Sequence, residues 1–302
     1  MPRQNSEIWY LSEMDCPSFY LNARDLRRYF SGTQVMGIIN VTPDSFYAGS
    51  RVKGEESLRR HVVQIVEEGG TMIDVGAYST RPDAAEVSPQ EELDRLAQSL
   101  LFIREELDSI GTQDVMISVD TFRASVAETC ITELKADIIN DVSGGTLDED
   151  MFSVVARTKA PYILMHMRGT PQTKQQMTAY DKPVTEAVGD FFDEQLGKLL
   201  KLDPEAQVIL DPGYGFAKTL DQNYELFAGL PGLMQRFKQY PMLVGISRKS
   251  MIYRFFEKTA NEALNGTTVL NTLAAQMGAH ILRVHDVKEA VEAVKIVRKI
   301  NS

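Results

Sequence analysis

The chain has 302 residues, 43% hydrophobic and 25% charged, a balance that excludes a largely disordered protein and permits a sizeable buried core. Its formal net charge of -10 at pH 7 argues against non-specific attraction to nucleic acid or an anionic membrane, so neither is expected as a partner. Length alone leaves one or two domains open, because barrels of alternating strands and helices run to about 250 residues as one unit.

The opening residues, Met1 to Glu7, contain no apolar signal core, and no run is long enough to span a bilayer. A soluble, cytoplasmic protein is expected. Cys16 and Cys130 lack metal-ligand spacing and read as reduced thiols. Residues 1–34 stand outside the pattern that follows. Ser18 to Leu21 reads as a short strand and Ala23 to Phe30 as a basic segment with Arg24, Arg27 and Arg28. The region is expected to be an N-terminal extension covering the amino-terminal mouth of a core formed by residues 35–302.

From Val35 the alternation is regular. A buried strand ends at Asn40, followed by a loop with Thr42, Pro43, Asp44, Ser45 and Phe46. The apolar spacing predicts a helix over 55–68, closed by Gly69-Gly70, then a strand over 71–75. A long helix is expected over 89–109, with Ser88 as its N-cap and Glu91 at capping-box spacing. Strands follow at 115–119, 137–140, 162–165, 208–210, 242–246 and 280–284. The helices between and after them are expected at 122–134, 148–157, 184–202, near 220 with a break at Pro231-Gly232, at 267–277 and at 289–300. Eight apolar strands that do not alternate, each followed by a helix, imply a parallel sheet buried on both faces. The fold class is therefore α/β, a (β/α)8 TIM barrel with a short N-terminal extension, whose site lies at the carboxyl ends of the strands. A doubly wound open sheet is the weaker alternative, because no G-x-G-x-x-G follows the first strand.

Those strand ends carry Asn40, Asp120, Asn140, Asp141 and Asp211 as acceptors, and Arg81, His166, Lys249, Arg283 and His285 as cationic or switchable groups. A buried carboxylate needs a hydrogen-bonding partner or it becomes protonated. Several in one mouth imply pairing with these cations or a donor-rich planar ligand. Taken singly, Asp120 reads equally well as a helix cap and Asp211 also admits that reading, Asn140-Asp141 reads as a turn, Met165 and Phe216 as core, His166 and His285 as structural histidines and Arg248 as a solvated charge.

The ordered set Asn40-Val41-Thr42-Pro43-Asp44-Ser45-Phe46, Ser79-Thr80-Arg81-Pro82, Ser118-Val119-Asp120-Thr121, Ile139-Asn140-Asp141-Val142-Ser143-Gly144-Gly145, Met165-His166-Met167-Arg168-Gly169-Thr170-Pro171, Asp211-Pro212-Gly213, Ser247-Arg248-Lys249-Ser250 and Arg283-Val284-His285 resembles the dihydropteroate synthase family of pterin-binding enzymes. The resemblance implies a transferase of folate biosynthesis that joins 6-hydroxymethyl-7,8-dihydropterin pyrophosphate to p-aminobenzoate. It implies that Asp120, Asn140, Asp211 and Lys249 hold the pterin, with Met165 and Phe216 as apolar wall and Arg283 stacked on the ring. Asn40 would hold Mg²⁺ on the pyrophosphate, which Arg283 and His285 contact. Phe46, Thr80, Arg81, Pro82 and Ser247 would form the p-aminobenzoate site. Asp120, Asp211, Lys249 and Arg283 are then the catalytic set, sulfonamides the expected inhibitors, and a homodimer the expected assembly. The chain departs from the family pattern at Tyr78, where an acid is common, and at Ala48, Tyr214 and Ala217. The alternatives are a pterin-binding methyltransferase, which has no pyrophosphate to hold, and a catalytically silent pterin-binding homologue.

Overall fold

The computed structural model describes residues 20–23, 26–29, 32–41, 51–78, 87–112, 114–170 and 177–302. Strands β1 (Tyr20–Ala23) and β2 (Leu26–Tyr29) pair antiparallel as a separate two-stranded sheet, Tyr20 opposite Tyr29. The basic segment expected at 23–30 is thus largely the second of these strands.

Eight parallel strands build the body: β3 (Gln34–Asn40), β4 (Met72–Gly76), β5 (Met116–Asp120), β6 (Ile138–Asp141), β7 (Tyr162–Met165), β8 (Val208–Asp211), β9 (Leu243–Val244) and β10 (Ile281–Val284). Their order is β8-β7-β6-β5-β4-β3-β10-β9. A bridge between Leu210 and Met242 joins the two ends, with the Leu210 N–H donating to the Pro241 carbonyl at 2.9 Å. The sheet is closed, and the barrel read from the sequence is the fold.

Successive residues of a strand face opposite sides, and the barrel's two cores follow from that rule. Met36, Met72, Met116, Ile138, Ile163, Ile209, Leu243 and Ile281, one from each strand, pack together as the floor inside the barrel. Neighbours such as Val35, Ile73, Ile117, Ile139, Tyr162, Leu164, Leu210, Val244 and Leu282 face outward into a larger core shared with the helices. Each fully buried side chain of this size contributes roughly 1.5–3 kcal/mol.

The helices are α1 (Arg51–Glu67), α2 (Pro89–Ser109), α3 (Ala124–Thr132), α4 (Met151–Thr158), α5 (Val184–Leu202), α6 (Leu220–Ala228), α7 (Leu230–Arg236), α8 (Ser250–Tyr253), α9 (Leu264–Gln276) and α10 (Val287–Ile300). Ser88 caps α2 as expected, its hydroxyl accepting from the Glu91 N–H at 3.2 Å. Three expectations are corrected. The break between α6 and α7 falls at Gly229, and Pro231 sits in the first turn of α7, where a missing N–H costs nothing. The strand expected over 242–246 is regular only at Leu243–Val244. The short α8, too brief to carry a hydrophobic period, went unread before α9.

Candidate active site

The next inward position on each strand above the floor is two residues further along. It brings Asp74, Ser118, Asn140, Met165, Asp211 and Arg283 into the barrel, with Asp120 one step higher on β5. An apolar floor therefore carries a polar storey, and its organiser is Arg283. The guanidinium donates from Nε to Asp74 Oδ2 at 2.6 Å and from Nη2 to Asp120 Oδ2 at 3.0 Å. Burial disfavours its charge, but the two carboxylates outweigh that and hold Arg283 above its ordinary value.

Asp74 is fully buried and also accepts from Asn140 Nδ2, at 3.1 Å to both oxygens. A carboxylate can only accept, so this contact fixes the amide's orientation and turns the Asn140 carbonyl oxygen away from Asp74. Sequence reading passed over Asp74 because it lies two residues short of its strand's end. The available signal was its two-residue offset from Met72 and one-residue offset from the outward Ile73.

Asp120 is raised to about 7, chiefly by burial, with Arg283 opposing and the nearby Asp74 adding to the rise. Neither Asp120 nor Asp211 caps a following helix. The α3 cap position is Arg123, whose side chain makes no capping bond. Instead the Ala124 N–H donates to Asp148 at 2.8 Å. Asp211 Oδ1 accepts from the Gly213 N–H at 2.8 Å within its own turn. Burial raises Asp211, against the pull of Lys249, the Gly213 N–H, Arg283 and Lys218.

Lys249 Nζ donates to the Tyr214 carbonyl at 2.6 Å and lies 4.7 Å from the centre of the Phe216 ring, within range of a cation–π attraction. Phe216 packs with Met165, Val142 and Met167 as one apolar wall. Two residues before Lys249 on the same loop, Ser247 Oγ accepts from the His285 N–H at 3.1 Å and lies 3.1 Å from His285 Nδ1. Asn40 ends β3 with its side chain exposed. Phe46, Thr80, Arg81 and Pro82, and the departure at Ala48, lie outside the described residues.

Two expectations about neighbouring residues are corrected. Asp141 does not enter the mouth: it follows the inward Asn140 and faces outward, accepting from the Ser143 and Gly145 N–H groups and the Tyr162 hydroxyl at 2.7–2.8 Å. Arg248 is no solvated charge. Its guanidinium grips Asp286 in a two-point pair at 2.7 and 2.8 Å and donates to the carbonyls of Ala260 and Asn261. This clamp ties the loop after β9, which carries Ser247 and Lys249, to the loop after β10. Arg248→Ala is expected to cost about 2 kcal/mol, the scale of a charge-assisted pair that is only partly exposed, and thermal unfolding of the variant checks it.

The departures also have structural accounts. The Tyr78 ring meets Phe122 edge-on at 5.2 Å, and Arg123 lies 5.3 Å from the centres of both rings while pairing with the buried Glu92. Tyr214 is fully buried against Phe227. Ala217 adopts a left-handed φ of 51°, a conformation that favours glycine. Its carbonyl accepts from the Tyr180 hydroxyl at 2.9 Å.

The mouth thus gathers carboxylate and amide oxygens with the Arg283 guanidinium and the Lys249 amine, and sets Ser247 against His285. A family model described as pterin binding enzyme matches residues 36–285. The dihydropteroate synthase of Synechocystis sp. is 41% identical over 267 residues, covering 87% of this chain and 89% of that protein. The Yersinia pestis dihydropteroate synthase, solved with a sulfonamide drug, superposes with a TM-score of 0.82 at 38% identity, covering 93% of this chain and 98% of that one. The Xanthomonas albilineans enzyme, solved with 4-aminobenzoic acid, gives 0.82 at 32% identity over 94% and 99%. The chain belongs to the pterin-binding enzyme family and, within it, to the dihydropteroate synthases.

Proposed function

We propose that this protein joins 6-hydroxymethyl-7,8-dihydropterin pyrophosphate to p-aminobenzoate, giving 7,8-dihydropteroate and pyrophosphate, as a single barrel of residues 35–302 behind an N-terminal extension. The observation that carries the reading is the buried polar storey, in which Arg283 bridges Asp74 and Asp120 beside Asn140. Asp120, Asn140 and Asp211 accept the pterin's N–H groups, Lys249 donates to its ring acceptors, and Met165 and Phe216 exclude water from its face. Arg283 and His285 face the diphosphate.

In the reaction the methylene carbon–oxygen bond breaks and its electron pair leaves with pyrophosphate. Carboxylates fixed around the ring stabilise the pterin cation that remains, without reorganising as the charge appears. The amine lone pair of p-aminobenzoate then forms the carbon–nitrogen bond, and the nitrogen sheds a proton. No covalent nucleophile is required. The p-aminobenzoate is held by Ser247 with Phe46, Thr80, Arg81 and Pro82.

Mg²⁺ fits the donor set. Among the described residues no group of three His, Cys, Asp or Glu can hold a metal, but Mg²⁺ commonly takes one or two protein oxygens and completes its shell with substrate phosphates and water. Asn40 at the rim supplies such an oxygen, and the ion when bound neutralises charge on the departing diphosphate. Homodimerisation is supported by apolar side chains left exposed on the last two helices, Val269 and Leu273 on α9 and Ile296 and Ile300 on α10. Among the described residues Cys130 is fully buried, which pushes its thiol up to about 12, and no described helix is long and apolar enough to cross a membrane; a cytoplasmic location is part of the same proposal. Sulfonamides, as p-aminobenzoate mimics, are expected to compete for the site.

A methyltransferase would need no group for pyrophosphate, and Arg283 beside His285 weighs against it. The purified protein with Mg²⁺ and both substrates is expected to release pyrophosphate as dihydropteroate forms. Retained pterin binding without pyrophosphate release would replace the synthase reading by the silent homologue. Asp211→Ala and Lys249→Ala are each expected to raise the KM for the pterin substrate at least tenfold.

A further inference from the structure

Lys218 carries a buried side-chain amine that the reaction described above does not use. Its Nζ meets three acceptors: the Gly213 carbonyl at 2.8 Å, the Phe216 carbonyl at 2.9 Å and His166 Nδ1 at 2.9 Å. The two carbonyls can only accept, so the Lys218 amine donates to both, and His166 Nδ1 is its third neighbour. Burial pushes both groups well down from their ordinary values, His166 further lowered by the Lys218 charge, whereas the Asp211 carboxylate pulls Lys218 back up.

The carbonyls that Lys218 binds belong to a turn that is otherwise held by scattered single bonds, the Phe216 N–H to the Gly213 carbonyl at 3.1 Å, the Gly215 N–H to Asn223 Oδ1 at 2.6 Å and the Tyr180 hydroxyl to the Ala217 carbonyl at 2.9 Å. Among the described residues Lys218 is the one side chain that joins two of its carbonyls to the residue after β7. Pro212 has no N–H to donate. Gly213, Gly215 and Ala217 all take left-handed φ values, of 69°, 78° and 51°, so no regular hydrogen-bond ladder forms. Gly213 passes so close to β7 that a Cβ there would lie 2.0 Å from the His166 carbonyl oxygen. The same turn presents the pterin end of the mouth. Its first residue is Asp211, held by the Gly213 N–H. Its Tyr214 carbonyl receives Lys249, and its Phe216 ring lies under Lys249 and against Met165. Among the described residues Lys218 makes no hydrogen bond to Ser247, His285 or Asn40; its three partners are Gly213, Phe216 and His166.

We propose that Lys218, seated on His166, is a positioning residue for pterin recognition: it holds the Asp211–Ala217 turn so that Asp211, Phe216 and Lys249 converge on the pterin, and it has no part in holding p-aminobenzoate. This rests on the synthase reading and deepens it.

The test compares Lys218→Met, which keeps length and removes every donor, with Lys218→Gln, which restores two N–H groups, in steady-state assays of both substrates and in calorimetry with 6-hydroxymethylpterin alone. Lys218→Met is expected to raise the pterin KM and the 6-hydroxymethylpterin Kd about thirtyfold, leave the p-aminobenzoate KM within twofold, and be restored severalfold by Lys218→Gln. Should Lys218→Met fail to fold, His166→Gln, measured in the same way, is expected to raise the pterin Kd about threefold and leave the p-aminobenzoate KM unchanged. Equal rises in both KM values, or a loss in kcat with unchanged pterin affinity, overturn the proposal while leaving the synthase reading intact. If the wild-type protein binds 6-hydroxymethylpterin yet makes no dihydropteroate, the synthase reading fails and the calorimetric ratio still decides the role of Lys218.

Discussion

Replacing Asp74 by asparagine is expected to remove nearly all synthase activity, by about three orders of magnitude in kcat/KM, and to lower folding stability by about 3–5 kcal/mol. The stability figure is that of breaking a buried ion pair while leaving its partner charged. Asp74 serves two donors at once, Arg283 Nε and Asn140 Nδ2, and an asparagine in its place presents an NH2 group to one of them. The amide of Asn140 then loses its enforced orientation, and Arg283 loses the contact that aims it across the barrel. An activity loss of that size corresponds to about 4 kcal/mol. Urea unfolding and steady-state kinetics on one preparation separate the two effects. A variant that is destabilised but keeps near-normal kcat/KM would reduce Asp74 to a fold-stabilising residue.

Pterin affinity is expected to weaken as pH falls from 8 to 5.5, and Asp120→Asn to flatten that dependence, leaving only what Asp211, also raised by burial, contributes, while lowering affinity at least a hundredfold at pH 8. Burial raises Asp120 to about 7, so it takes up a proton across this range, and a protonated carboxyl has lost an acceptor site for the pterin's N–H groups. The sign for folding is opposite. The unfolded chain releases this proton near pH 4 and the folded chain near 7, so between those values the folded state binds more protons and stability contributed by this group falls as pH rises. Acidification from 7 toward 4 therefore strengthens the fold through Asp120 while it weakens the ligand. Calorimetric titration with a pterin at several pH values, alongside urea midpoints in the same buffers, reads both trends. Affinity that rises on acidification would assign the proton to the ligand-bound state and reverse the role given to Asp120.

The sequence by itself determined the architecture and most of the strand-end chemistry. Apolar runs such as Val35–Ile39 and Tyr162–Met165 are too continuous for a one-sided sheet, and eight such strands separated by helical periods leave the closed barrel as the natural arrangement. Because the carboxyl end of every strand reaches the same mouth, Asp120, Asn140, Asp211, Lys249, Arg283 and His285 were legible as a group before any coordinates. What only the tertiary structure decided is which polar residue faces inward and what it meets there. Asp74 and Asp141 are both strand carboxylates, yet one holds Arg283 inside the barrel and the other receives Tyr162 outside it. A shift of one residue along a strand reverses the face, and strand ends read from composition are not fixed to one residue. Partners are equally hidden: Arg283 and Asp74 are 209 residues apart, and Arg248 and Asp286 are 38 apart. The Arg283–Asp74 pair forms because barrel closure brings together strands remote in the chain and removes water from between them, which makes each buried charge require the other.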